Sequence, residues 1–239
     1  MQWQDEGVLL NLRAHGEGHA VAEILTQAHG RHLGLVRGGL SRRMRPSLQS
    51  GNSFNVTWNA RLESHLGNYT LDLATERAGG WLYSSSSLQA LSTLTSHLHL
   101  LAEREPHPEL YEPLLKLLDV IDDPKKSAAA VIQYELTLLQ ALGFGLDLER
   151  CAATGETENL THVSPRTGRA VGQQAAAPYA DRLFRLPDFL RSGEDMAIQP
   201  DIADGARLTG YFLLEHLYAP RGLFLPEART SFFKTAKAA

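Results

Sequence analysis

The period of the apolar residues changes once along this chain, at Gly79-Gly80, and that change limits the available folds more than any other feature. Before it, apolar residues come in short alternating runs: Gly7–Leu12, Ala20–Thr26, Arg31–Val36, Ser53–Trp58 and Tyr69–Leu73. Clusters of Gly, Asn, His and Glu separate them, as turns require. About five short strands in so little chain predict a small closed barrel of the OB type, because closure removes the exposed sheet edges. An SH3-like barrel accounts for the strand count nearly as well.

After Gly79-Gly80 the period is three to four. Leu91, Leu94, Thr95, Leu98 and Leu101 make one helical stripe, and Leu110, Leu114, Leu117, Leu118 and Ile121 another, closed by Asp123-Pro124. A third helix is expected from near Ser127 to Gly143 with Val131, Tyr134, Leu138 and Leu142 on one face, and a fourth from Asp201 through Leu208, Tyr211, Leu214 and Leu217, ending before Pro220. Pro106, Pro124 and Pro200 divide them, and the run Ser84–Ser87 precedes or caps a helix. The chain is therefore read as α+β and multi-domain: residues 1–79 an OB-type nucleic-acid-binding domain, residues 80–239 a helical domain. An irregular insertion at about 150–175 carries Gly155, Gly168, Gly172, Pro165 and a hairpin-like stretch from Leu160 to Val171.

With 239 residues and 43% apolar content, the chain has material for one large core or two modest ones. No apolar run approaches the roughly 18 residues a bilayer demands, and Met1–Glu6 is polar and acidic where a signal peptide is basic and then apolar. A cytoplasmic protein without a membrane partner is expected. The single cysteine, Cys151, excludes an internal disulfide and a four-cysteine zinc site.

A net charge of −4 argues against nucleic acid until its distribution is examined. Between Glu23 and Glu63 no acid occurs over 39 residues, yet Arg31, Arg37, Arg42, Arg43, Arg45 and Arg61 fall there, with His29 and His32. Residues 81–239 hold 15 basic and 20 acidic side chains, about −5. The positive field belongs to the barrel. Arg37-Gly38-Gly39-Leu40-Ser41-Arg42-Arg43-Met44-Arg45-Pro46 joins flexible glycines to four guanidiniums, whose forks match phosphate oxygens. A solvated surface loop is the alternative, but ordinary surfaces intersperse both signs. Arg31, Arg37, Arg42, Arg43, Arg45 and Arg61 are the candidate contacts to nucleic acid. Trp3, Phe54, Trp58 and Tyr69 could stack on bases, although strand spacing favours them as core.

Catalysis has little support. The ten histidines lack a carboxylate in fixed register, and neither Gly16-Glu17-Gly18 nor Gly143-Phe144-Gly145 continues into a dinucleotide fingerprint or a phosphate loop with its lysine. Cys151 follows the acidic Asp147-Leu148-Glu149, which disfavours a reactive thiolate. No catalytic residue and no cofactor is assigned.

The joint pattern of Trp3–Leu10, Gly16-Glu17, Leu25–Arg31, Val36–Gly39, Gln49–Asn52, Trp58–Leu62, Leu142–Cys151, Val163–Val171 and Arg182–Leu190 resembles the RecO family, in order over almost the whole chain. The resemblance implies an OB barrel first and a non-enzymatic recombination mediator in DNA repair. Such a protein binds single- and double-stranded DNA at the nucleoid, anneals complementary strands, and works with RecR and the single-strand binding protein. It also implies an apolar groove in the helical domain for the acidic, hydrophobic tail of the latter. Zinc-bearing members set paired cysteines around the turn after the LDLxxC run; here Cys151 remains, Thr154 stands where its partner would be, and residues 169–174 hold no cysteine. Packing through Leu160, Val163 and Val171 is expected to hold this loop. The competing readings are an OB-fold RNA-binding protein and a hydrolase using an unrecognised histidine cluster.

Overall fold

In the computed structural model, which describes residues 1–192 and 202–238, five strands close into a barrel in the order β1-β2-β3-β5-β4. They are β1 (Gln2–His15), β2 (His19–Thr26), β3 (Gly30–Val36), β4 (Ser53–Asn59) and β5 (Asn68–Thr75). β1 serves two neighbours. Its first half pairs with β4, from Gln2↔Asn59 to Val8↔Ser53, and its second half with β2, from Gly7↔Thr26 to His15↔His19, with a register shift between Leu9 and Asn11. A short parallel pairing, Leu35↔Asn68 and Val36↔Tyr69, completes the closure. This is the five-stranded Greek-key barrel of the OB type.

The expected strands are all present, but β1 begins at Gln2 and runs to His15, beyond the Gly7–Leu12 expected for it. Polar Asp5, Glu6 and Asn11 hide that length, because they interrupt the apolar signal while the backbone ladder continues through them. Leu9, Ile24, Val36, Leu48, Phe54, Val56, Trp58 and Tyr69 fill the interior. Alternation along β3 turns His32, Gly34 and Val36 inward. Gly34 makes room for Tyr69: a Cβ there would stand 2.4 Å from the tyrosine ring.

The chain divides into two compact units, Met1–Asp122 and Asp123–Ala239. Helical structure starts at Ala78, and the first unit includes α1 (Ala78–Trp81), α2 (Ser85–Leu98) and α3 (Pro108–Leu118) with the barrel. Ser84 caps α2, its side chain accepting the Ser87 amide at 3.2 Å. The buried face of α2 comprises Ser86, Ser87, Ala90, Thr93, Leu94, His97 and Leu98, so it is turned from the expected stripe, leaving Leu91 and Thr95 half-buried. In α3 the stripe Leu110, Leu114, Leu117 and Leu118 is buried, as is Ile121 beyond it.

The second unit is built on α4 (Pro124–Ala141), followed by β6 (Leu160–Val163), β7 (Ala170–Gly172), α5 (Gln173–Ala176), β8 (Phe184–Arg185), α6 (Phe189–Ser192), α7 (Ile202–Leu213) and α8 (Glu227–Ala238). The expected hairpin is the β6–β7 pair, extended by β8 into a three-stranded sheet. Leu160, Val163 and Val171 are buried and hold it. Pro200 and Asp201, where the fourth helix was to begin, lie outside the described residues. From Ile202 the helix runs to Leu213 and continues as a π turn, Leu214–Tyr218. Leu208, Thr209, Phe212, Leu213 and Leu217 are buried, while Tyr211 and Leu214 are only half so. The small Gly210 sets this rotation: a Cβ there would stand 2.8 Å from the Arg229 guanidinium of α8. Among the described residues, no helix is long and apolar enough to cross a membrane.

Candidate nucleic-acid interface

The arginine-rich segment joins β3 to β4. It leaves the barrel after Val36, at the β3–β5 seam, and returns at Ser53, which pairs with Thr75 at the far end of β5. It therefore covers the opening along β5. Gly38 takes φ +67, a conformation that favours glycine, and its amide donates to Nδ1 of His19 at 3.0 Å. The Leu40 amide donates to the Gly18 carbonyl, tying the segment to the β1–β2 turn. A helical turn follows, with the amides of Arg45 and Leu48 donating to Ser41 and Met44 carbonyls at 3.0 Å each.

Anchoring fixes which side chains face water. Gly39 and Leu48 are buried, and Met44 packs against the barrel core. Between these anchors, Arg42, Arg43 and Arg45 are exposed, and so is Arg37 at the seam. Arg37 donates through Nε to the Asn68 side chain at 3.2 Å. Among the described residues, none of these four guanidiniums makes an ion pair. Arg37 and Arg43 line a groove of about 340 Å³, with Met44, Leu48, Phe54, Leu71 and Leu73 as its apolar wall. Arg61 is exposed on the β4–β5 loop. That loop leaves Asn59 and returns at Asn68, which are paired, so it springs from the end of the barrel where Arg37 sits.

Arg31 does not join them. It is the second residue of β3, at the opposite end of the strand from the seam pairs Leu35 and Val36, and its NH1 donates to the buried Glu23 at 2.5 Å while Nε donates to the Leu101 carbonyl at 3.0 Å. The absence of acids in the surrounding sequence concealed this pairing, because Glu23 lies on the adjacent strand. The other Glu23 oxygen meets His99 Nε2 at 2.8 Å, at the end of α2. Burial alone would raise the Glu23 carboxyl; hydrogen bonds from His99 and Arg31 outweigh it and hold the group below the usual carboxylate range. These three side chains fasten α2 to the barrel.

The four candidate aromatic residues, Trp3, Phe54, Trp58 and Tyr69, offer no open stacking face. Phe54, Trp58 and Tyr69 are buried. Trp3 is covered on one side by His29, with ring centroids 4.1 Å apart, and approached on the other by Trp58 at 5.7 Å. Asp5 engages the His29 ring at 2.9 Å. Sequence reasoning missed Arg104, which has φ +67 and donates to the carbonyls of Glu63 and His65, clamping the β4–β5 loop that carries Arg61. Its only signal in the sequence is a charge beside Pro106. His32, facing inward, is pushed down to about 4 by burial and by the Arg104 charge.

In the second unit, a groove of about 650 Å³ runs between α4 and the β6 region, lined by Leu136, Leu146, Leu148, Leu160 and Leu190, with Arg191 and Glu149 also on its wall. Beside it, the turn after Cys151 is closed by the Cys151 amide donating to the Glu156 carbonyl at 2.7 Å and the Gly155 amide donating to the Cys151 carbonyl at 2.9 Å. Burial raises the thiol, but hydrogen bonds from the Thr154 side chain and the Gly172, Thr154 and Ala153 amides bring it down to about 7. Thr154 itself bonds to Glu156 at 3.0 Å. Among the described residues, no three His, Cys, Asp or Glu side chains converge, and this donor set does not fit zinc.

Comparison with known proteins divides the chain earlier, directly after the barrel and inside the first compact unit. Residues 1–74 match the family described as Recombination protein O N terminal, and residues 82–222 match Recombination protein O C terminal. The chain is 48% identical to the DNA repair protein RecO of Chelativorans sp. (strain BNC1) over 233 residues, covering 97% of this chain and 94% of the relative. It is 50% identical to the protein of the same name from Bradyrhizobium diazoefficiens over 234 residues, covering 97% and 94%. Against that of Xanthobacter autotrophicus identity is 48% over 232 residues, covering 97% and 96%.

Proposed function

Because the chain belongs to the RecO family of DNA repair proteins, we propose that it is a non-enzymatic mediator whose barrel neutralises DNA phosphates so that complementary strands can approach and anneal. The observation that carries this is the run Arg37, Arg42, Arg43 and Arg45: four exposed guanidiniums without a competing carboxylate, on a segment anchored by Gly39, Met44 and Leu48. Arg61 extends the face from the neighbouring loop. Arg31 is left out, since Glu23 already holds it.

Annealing requires charge screening and contacts weak enough for bases to sample pairing. Guanidiniums reading phosphate give that for single and double strands alike, without reading sequence. RecR and the single-strand binding protein are the partners of this reading, with the groove beside α4 receiving the acidic, hydrophobic tail of the latter on its leucines and Arg191. A cytoplasmic, nucleoid-associated location goes with such partners.

The test is annealing of complementary oligonucleotides precoated with single-strand binding protein, with and without RecR, together with the salt dependence of binding to one strand. Four to five neutralised phosphates give a slope of log K against log salt of about −3, at roughly 0.7 per phosphate. Replacing Arg42 and Arg43 together with alanine should flatten it by about one unit and weaken binding to every sequence alike. An unchanged affinity and slope in the folded double variant moves the DNA elsewhere. Preference for RNA over DNA of equal length would favour the RNA-binding reading.

A further inference from the structure

The groove beside the arginine segment combines two chemistries. Its floor is apolar, formed by Phe54 and Leu71 of the barrel and Met44 of the segment, and its open edge is Leu73, which is 41% exposed. Its rim is cationic, formed by Arg37 and Arg43, and among the described residues no acid lines it. Asp72 faces away, by the alternation of the strand. A volume of about 340 Å³ falls within the range of small-molecule sites.

A flat group with apolar faces and an anion on either side satisfies both parts of this site. One nucleotide of a single strand is such a group. Resting on the arginine reading above, we propose that the groove is a subsite for one unstacked nucleotide, its base lying on Met44 and Leu73 while the flanking phosphates meet Arg37 and Arg43. The unbranched thioether of Met44 adapts to bases of different outline, so the subsite reads the presence of a base and not its identity. A paired and stacked base cannot enter, which gives single strands a contact that duplex lacks and releases the strand as it pairs. Burying about 55 Å² of apolar base surface at roughly 25 cal/mol per Å² corresponds to about tenfold in affinity.

The experiment compares binding of the full chain to oligothymidylate and to an abasic tetrahydrofuran strand with the same number of phosphates, across a salt series. The expected result is about tenfold tighter binding of oligothymidylate at every salt concentration, with equal slopes. Leu73→Ser, which removes the open edge, and Ser41→Trp, which fills the mouth from an exposed position, should each abolish most of that advantage and leave abasic binding unchanged. Both sites are exposed, and if one variant fails to fold the other decides. Equal affinities for the two strands, or an advantage surviving in a folded variant, overturn the subsite while leaving the arginine face intact. Failure of the abasic strand to bind in a salt-dependent way overturns the arginine face, and the subsite with it.

Discussion

Replacing Arg229 with methionine should destabilise the Asp123–Ala239 unit severely. The guanidinium of Arg229 donates from Nε and NH2 to the two Glu135 oxygens at 2.7 and 2.8 Å, and from NH2 also to the Ala206 carbonyl at 2.8 Å and the Thr209 hydroxyl at 2.9 Å. Glu135 and Thr209 are fully buried, and Arg229 is 6% exposed, with the Phe233 ring 4.8 Å from its Cζ. Methionine keeps much of the stem volume but takes the Arg229 charge and its two hydrogen bonds away from the buried carboxylate of Glu135. Breaking a buried pair from one side costs about 3–5 kcal/mol. At roughly 4 °C per kcal/mol for a unit of this size, Tm should fall by about 12–20 °C. Glu135→Met should do comparable damage from the other side. The double variant replaces both charges with apolar groups and should recover most of the loss, giving a coupling of about 3 kcal/mol or more. Thermal and urea unfolding of the full chain, fitted with separate transitions where the two units melt apart, measure it. A loss below about 1 kcal/mol in the single Arg229 variant, or a double variant as unstable as the two singles added, would refute the reasoning.

Arg31→Ala should destabilise the first unit by about 2–3 kcal/mol, because it strips the buried Glu23 of one of its two partners and leaves His99 alone on that carboxylate, yet leave the salt slope of DNA binding unchanged; a flattened slope would return Arg31 to the interface. Because burial depresses His32 to about 4 from 6.5, its contribution is fully present above pH 6.5 and is lost as pH falls towards 4, where the unfolded chain alone takes the proton. That loss is about 3 kcal/mol, and His32→Gln should flatten the pH profile of stability in this window; a profile identical to wild type refutes the assignment. Elemental analysis of protein purified without chelator should find no stoichiometric zinc, since among the described residues Cys151 lacks three further donors; one tightly held equivalent would contradict this.

The barrel was legible because its inward residues are large and alternate, and Val36, Phe54, Val56, Trp58 and Tyr69 are all interior. The rotation of α2 and α7 was not, because Thr93, His97 and Thr209 are polar and yet buried. Their polar atoms can find partners inside, as the Thr93 hydroxyl does on the Gln89 carbonyl at 2.8 Å, and hydropathy does not register such partners. The same limit hid α8, whose first buried residue is the charged Arg229. In the candidate site, the composition of the arginine run was readable and its placement was not. Arg31 and Arg37 look alike in sequence, and only the register of β2 against β3 brings Glu23 within reach of the first. Leu73 reads as an ordinary strand residue, and its exposure depends on how the covering segment leaves the end of β5 open.

If the arginine face is the DNA contact proposed above, that segment also bounds the strength of the grip on DNA. With four or five cationic contacts and a slope near −3, raising salt from 50 to 200 mM should weaken binding by roughly fifty- to a hundredfold. A protein depending on these contacts alone holds DNA loosely at physiological ionic strength, and looseness is what strand exchange between partners in a forming duplex requires. Delivery to a strand already coated by another protein then has to come from elsewhere, through raised local concentration. As the proposed site for that partner, the leucine-lined groove beside α4 suits the task because contacts to its leucines, unlike those to Arg191 and the barrel guanidiniums, do not weaken as salt rises. Salt should therefore separate the two activities, stripping direct DNA binding while sparing the tethered kind, since each rests on a different force in a different part of the chain.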